Sequence, residues 1–175
     1  MASIHLTTFV KAPVERVFDL CRNTTIYKKA LEGRNENLTA SASGILVNAG
    51  DTITLSAKHL GKTRVITARV LEMNIPEKFV EEQVKGDMKS FRHEHHFKPV
   101  ENGTLVIDLV EMEEPRDAIG GMLGKLFMKN YFETINAMHW LNFMPKQKNG
   151  VRLWADVLCN YWFLSDICSF RNSVV

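Results

Sequence analysis

The chain predicts one α+β domain: a curved antiparallel β-sheet wrapped around a long C-terminal helix, enclosing an apolar cavity. Three observations carry this. Residues from about 35 to 113 alternate polar and apolar side chains between short turn signals, as half-buried strands do. Beyond Pro115 the pattern changes to an apolar stripe at helical spacing. The length of 175 residues, with 45% hydrophobic and 24% charged residues, suits a globular domain with a sizeable core.

The elements follow in order. Ser3–Lys11 alternates Ile4, Leu6 and Val10 against His5, Thr7 and Phe9, a first strand. Ala12-Pro13 ends it, and proline at a first helical position opens a short helix whose Val14, Val17, Phe18 and Cys21 share one face. A second short helix is expected over Thr25–Leu31. Asp51–His59 sets Ile53, Leu55, Ala57 and His59 against Thr52, Thr54, Ser56 and Lys58; Leu60-Gly61-Lys62 turns it, and the β-branched Thr63–Met73 returns. Ile75-Pro76-Glu77 interrupts before the strand Phe79–Lys85. After Gly86-Asp87 comes GDMKSFRHEHHFKPV, then the hairpin signal Asn102-Gly103 and a last strand, Leu105–Glu113. Short turns throughout make a meander large enough to curl.

The most informative strand is the one containing Phe91–Lys98. Strand periodicity puts Phe91, His93, His95 and Phe97 on one face and Arg92, Glu94, His96 and Lys98 on the other. Two imidazoles between two phenyl rings suit the wall of an apolar pocket with a few placed polar groups. The phase of Asp51–His59 turns His59 to the same side as Ile53 and Leu55, so a third imidazole is expected at the cavity. Ile107 and Leu109 on the last strand complete the wall. Met122, Leu126, Phe127 and Tyr131 on the closing helix serve as core and lid together.

His93 and His95 are also the candidate acid–base pair, since imidazole accepts or donates a proton near neutral pH. A zinc reading, with His59 as third ligand, has only a common i, i+2 spacing behind it and no cysteine cluster, so no metal is expected. Glu94 turns away with Arg92 and reads as half of an exposed ion pair. Arg64 and Arg69 lie on opposite faces of their strand, and whichever points inward could hold a carboxylate or anionic headgroup. Glu111 and Glu113 read as solvated. No Ser/His/Asp order, phosphate loop or Cys-x-x-Cys occurs.

Charge excludes little but is clear on one point. Lysine and arginine total 22 against 20 acids, a net charge of +2, with no basic stripe for nucleic acid. The most apolar window, 151–170, carries Arg152, Asp156, Asn160 and Asp166, which rules out a membrane span there. Three scattered cysteines and no signal-peptide pattern give the expectation of a cytoplasmic chain with reduced thiols. Oligomeric state is left open by the sequence.

Three passages carry a family resemblance: FVKAPVERVFDL, the pair AKHLGKTRVITARV and GDMKSFRHEHHF, and EEPRDAIGGMLGKLFMKNYF. Together with the element order they resemble the START/SRPBCC superfamily of helix-grip proteins, which includes birch-pollen-allergen-like proteins, and within it a bacterial polyketide cyclase-like, ligand-binding branch. The resemblance covers roughly residues 3–137 and implies a helix-grip fold, no cofactor, and a small hydrophobic ligand such as a lipid, isoprenoid or polyketide-like aromatic. Binding or carriage of that ligand is favoured over catalysis. The alternatives are a cyclase or dehydratase using the cavity histidines, and an accessory protein-interaction module with a filled cavity.

The domain so defined spans residues 1–140, and 141–175 form an atypical C-terminal extension. From Met138 the sequence departs from such relatives, with Pro145 and Gly150 as breakers and Trp154 and Trp162 among irregularly spaced apolar residues. Two readings stand side by side: a further helix covering an apolar face, or a shifted reading frame. An interfacial anchor would need a basic polar face that this stretch lacks.

Overall fold

A computed structural model describes residues 2–32, 36–59, 62–86, 88–113 and 133. The chain divides into Met1–Phe143 and Met144–Val175, and all described residues belong to the first unit. The expected closing helix and the extension from residue 141 lie outside the described residues.

Among the described residues seven strands and two helices are seen. Strand β1 (Ala2–Val10) is followed by α1 (Val14–Cys21) and α2 (Thr24–Ala30). The remaining strands are β2 (Glu36–Ala40), β3 (Thr52–His59), β4 (Lys62–Asn74), β5 (Lys78–Gly86), β6 (Ser90–Val100) and β7 (Gly103–Glu113). They form one strongly curled antiparallel sheet in the order β1-β7-β6-β5-β4-β3-β2. The first strand thus returns to pair with the last, and β2 holds the far edge. Register shifts at Thr67/Ala68 and Val70/Glu72 in β4 mark bulges, devices that bend a strand and deepen its twist.

Local sequence explains the helix starts. Pro13 is the cap of α1 rather than its first helical residue: its carbonyl accepts from Val17 N–H at 3.0 Å, so the helix begins one residue later than expected. Asn23 caps α2, its Oδ1 accepting from Thr25 N–H at 3.0 Å and Ile26 N–H at 3.2 Å, which satisfies two otherwise orphaned donors. The segment from 41 to 51, expected to be sheet, is irregular. Leu46 bridges Asn23 there, and Val47 N–H donates to Arg22 O, so this loop holds the junction of the two helices.

The core gathers where α1 meets the sheet. Val17 and Phe18 are fully buried against Val10, Val47, Val70, Phe79, Phe97 and Val106. Phe18 meets Phe97 at 5.1 Å and Phe79 at 5.7 Å, both edge-on, the geometry that ring quadrupoles favour. Each such side chain contributes about 1.5–3 kcal/mol by leaving water. A second cluster, Ile4, Phe91, Val110 and Met112, continues the core face along β1, β6 and β7. One clasp ties the β7 end to the start of α1: the Thr104 hydroxyl, completely buried, donates to Ala12 O at 2.8 Å.

Candidate functional site

The site grows from the hairpin of β6 and β7. Val100 pairs with Gly103, so the loop is Glu101-Asn102, one residue earlier than the expected Asn102-Gly103, and Asn102 adopts φ 64°. Asparagine tolerates this left-handed conformation better than most residues. Gly103 is needed for space: a Cβ there would collide with Val10 O and the Phe9 ring.

From that turn the register places His95 opposite Asp108, His93 opposite Val110, Phe91 opposite Met112 and Phe97 opposite Val106. On the other side β5 sets Phe79 opposite His95 and Glu81 opposite His93. Side chains directly opposite share a face. The core face of β6 is therefore Phe91, His93, His95 and Phe97, the row expected from the sequence, flanked by Phe79 and Glu81 on β5 and by Asp108 on β7.

The centre of this face is a polar cluster in an apolar frame. His95 Nδ1 lies 2.6 Å from Asp108 Oδ1, and His93 Nε2 lies 3.3 Å from the same oxygen. The two imidazoles stand 3.8 Å apart, tilted by 40°. Phe79 stacks on His95 at 4.2 Å, and Phe91 meets His93 edge-on at 6.2 Å. Asp108 is 6% exposed and His95 7%, a depth at which charges persist only if paired.

The charges follow from this geometry. Burial opposes ionisation of Asp108, but the two imidazoles outweigh it and hold its pKa well below the usual carboxylate range. An ionised carboxylate only accepts, so His95 donates Nδ1–H to it. Burial also opposes a charged His95, yet the adjoining Cys21 sulfur and Asp108 raise its pKa well above the ordinary imidazole value. His93 goes the other way: burial, then the neighbouring His95 charge, lower it, and Asp108 offsets this only in part. One carboxylate thus faces two imidazoles whose pKa values are pushed apart, His95 upward and His93 downward.

Cys21, last residue of α1, brings its sulfur to 3.7 Å from His95 Nδ1. This is not a nucleophile relay. In such a relay the thiol and the carboxylate occupy opposite ring nitrogens, whereas here both face Nδ1. Burial pushes the Cys21 thiol up, which disfavours the thiolate.

Two expected wall residues stand elsewhere. Ile107 and Leu109 lie on the face of β7 opposite to Asp108 and are half-buried; the row facing the histidines is Val106, Asp108, Val110 and Met112. Both rows of β7 are apolar enough to line a core, and the buried charge of Asp108 is tolerated only because two imidazoles meet it. Glu111, with Ile107 and Leu109, points away and is exposed. His59 ends β3 opposite Lys62; its side chain, that of Arg64, and Met122, Leu126, Phe127 and Tyr131 lie outside the described residues. Arg69 is exposed. Glu94 and Arg92 are part of a half-buried outer network rather than a lone exposed pair: Arg92 binds Glu94 at 3.0 Å and Glu82 at 3.2 Å, and His96 binds Glu94 at 2.9 Å.

Asp108 and Glu81 were missed by sequence reasoning, although a signal for Asp108 existed. Any two-residue hairpin loop makes paired residue numbers sum to an odd total, so odd positions of β6 must face even positions of β7.

Among the described residues, a curled seven-stranded antiparallel sheet with two helices between its first two strands matches the helix-grip fold. Solved structures agree. The chain is similar to a protein from Thermus thermophilus with TM-score 0.66 at 21% identity, covering 78% of this chain and 93% of that one. It is similar to a START superfamily protein from Mycobacterium smegmatis, with TM-score 0.62 at 14% identity over 79% and 94%. Ginseng major latex-like protein 151 from Panax ginseng matches with TM-score 0.61 at 11% identity over 82% and 97%. No family model and no curated protein matches the chain. The protein has the START and birch-pollen-allergen-like helix-grip fold. Among the described residues no helix is long and apolar enough to cross a membrane.

Proposed function

We propose that this protein binds and carries a small hydrophobic molecule bearing a polar substituent, with Phe79, Phe91 and Phe97 supplying apolar contact and His93 and His95 choosing the substituent. The observation that carries this reading is the row Phe91-His93-His95-Phe97 on the core face, with Asp108 Oδ1 2.6 Å from His95 Nδ1 and 3.3 Å from His93 Nε2. A lipid, isoprenoid or polyketide-like aromatic with a carbonyl or hydroxyl matches that chemistry: a protonated ring nitrogen donates and an unprotonated one accepts. Apolar burial would supply affinity at about 25 cal/mol per Å². Met122, Leu126, Phe127 and Tyr131 would close the cavity, and His59 would add a polar contact. No nucleic acid is expected as a partner, and the free thiol Cys21 suits the cytoplasm.

Native mass spectrometry of the purified protein, followed by analysis of its organic extract, tests the proposal. A co-purifying hydrophobic compound of defined mass is the expected result. Failure to bind any member of a panel of lipids, isoprenoids and aromatic polyketides would overturn it.

One observation favours a second reading, a cyclase or dehydratase. Two adjacent imidazoles with pKa values pushed in opposite directions are the arrangement an acid–base pair requires. His93→Ala separates the readings. A carrier keeps binding with altered preference, whereas an acid–base enzyme loses about 10²–10⁴-fold in turnover.

A further inference from the structure

We propose that Glu81, His93 and His95 form a binding site for a divalent transition-metal ion, with zinc as its best-fitting occupant and Asp108 as the group that orients His95. The site goes beyond ligand carriage and stands or falls separately from it.

The sequence suggested only an i, i+2 histidine pair in search of a third ligand, and looked to His59. The sheet supplies a different one. Glu81 is the cross-strand partner of His93, so the two side chains leave the same face next to each other, with His95 two residues along. One ligand atom from each of the three lies within 4.8 Å of the other two. Ligands on a tetrahedral ion at about 2.1 Å stand about 3.4 Å apart. Glu81, half-buried and long, is the side chain with freedom to close that difference. Two imidazoles and one carboxylate on three neighbouring positions of one face are the donor set of zinc and of open-sided iron sites.

Two further features fit a metal centre better than plain core packing. Asp108 engages His95 through Nδ1 at 2.6 Å, so the second ring nitrogen of His95 points elsewhere with its orientation fixed. A carboxylate behind a ligating histidine is the usual supporting contact of zinc sites. The frame is apolar, with Phe79 stacked on His95 and Phe91 against His93, which excludes water and strengthens ion–ligand attraction. Three protein ligands leave a coordination position open for a carbonyl, hydroxyl or carboxylate.

The test uses the untagged full-length chain, stripped with a chelator and titrated with zinc chloride by calorimetry, then with cobalt(II) followed by visible absorption. Wild type should take up one equivalent of zinc, and cobalt should give the ligand-field bands of a nitrogen- and oxygen-ligated ion. Glu81→Gln changes a half-buried residue and should leave the circular dichroism spectrum unchanged while weakening zinc binding at least about 10-fold. Asp108→Asn should weaken it about 10–100-fold at unchanged stoichiometry. Equal zinc affinity of wild type and Glu81→Gln would overturn the assignment by placing the ion elsewhere, and so would the absence of zinc uptake by folded wild type. Hydrophobic-ligand binding by the stripped protein is measured separately, so either proposal can fail alone.

Discussion

His95 and His96 are neighbours in the chain and opposites in the molecule. His95 points to the core face, 7% exposed, stacked on Phe79 and bonded to Asp108 at 2.6 Å. His96 points outward, with its side chain 29% exposed and a single carboxylate, Glu94, at 2.9 Å, itself shared with Arg92. Each histidine has an acidic partner at close range, yet the two contacts differ in kind. On the outside, water and neighbouring charges can replace any partner that is lost. On the core face water cannot, so the contact between His95 and Asp108 is an obligation rather than an addition.

The comparison is broken most sharply by removing the inner carboxylate. Asp108→Ala leaves the buried His95 without its partner, and urea unfolding should show a loss of about 3–5 kcal/mol. The outer counterpart, Glu94→Gln, removes a partner from Arg92 and His96 at once and should cost no more than about 1 kcal/mol. Similar losses for the two variants would mean that the inner cluster is wetter than its packing implies.

Truncating the aromatic frame comes next. Phe79→Ala removes the ring that covers His95 and part of the Phe18 contact, and a loss of about 3–5 kcal/mol is expected from the general cost of buried phenylalanine. Its distinctive sign is at His95: water admitted to the ring should change the imidazole's titration, read by NMR in the chelator-treated protein.

Acidity sharpens the contrast further, again in the chelator-treated protein. His95 has a raised pKa in the fold, so its contribution is complete below the unfolded value of about 6.5 and is lost as pH rises through the folded value. His93 has a lowered pKa, so its contribution is complete above about 6.5 and is lost as pH falls. Asp108 is also lowered; its contribution is present above about 3.9 and disappears as pH drops towards its folded value. Stability measured by urea unfolding should therefore decline on both sides of neutrality, in acid through His93 and then Asp108, in alkali through His95. His95→Gln should flatten the alkaline limb.

The smallest effect belongs outside. His96→Gln should change stability by less than about 0.5 kcal/mol and leave both limbs of the pH profile in place. A visible change in either limb would mean that the two faces of β6 are coupled through the backbone.

This asymmetry was only half legible in the sequence. The phase of β6 was plain because its outward row, Arg92, Glu94, His96 and Lys98, is polar throughout, leaving one burial pattern that avoids stranded charge. Strand β7 gave no such guidance: Leu105, Ile107 and Leu109 form as good an apolar row as Val106, Val110 and Met112, and the aspartate argued for turning the second row outward. A local reading of hydrophobicity weighs Asp108 alone, whereas the fold weighs it together with two histidines on the next strand. Glu81 was obscure for a related reason, since its neighbours Val80, Glu82 and Gln83 show no clean alternation and β4 beside it is bulged. The two short helices α1 and α2 were legible to within a residue because Pro13 and Asn23 act locally. The loop from 41 to 51 was not, because its role is a tertiary one, at the junction of α1 and α2.

The Glu101-Asn102 turn has a consequence for how this molecule can change. Strand parity makes loop length a binary quantity: one residue inserted there would bring Ile107 and Leu109 round to the histidines and carry Asp108 to the far side, while two residues would restore the original row. A single-residue insertion at an exposed tip would thus take the Asp108 carboxylate out of the site without altering a residue of the site. The electrostatic character of the binding face is written in the count of residues in a loop that never touches it.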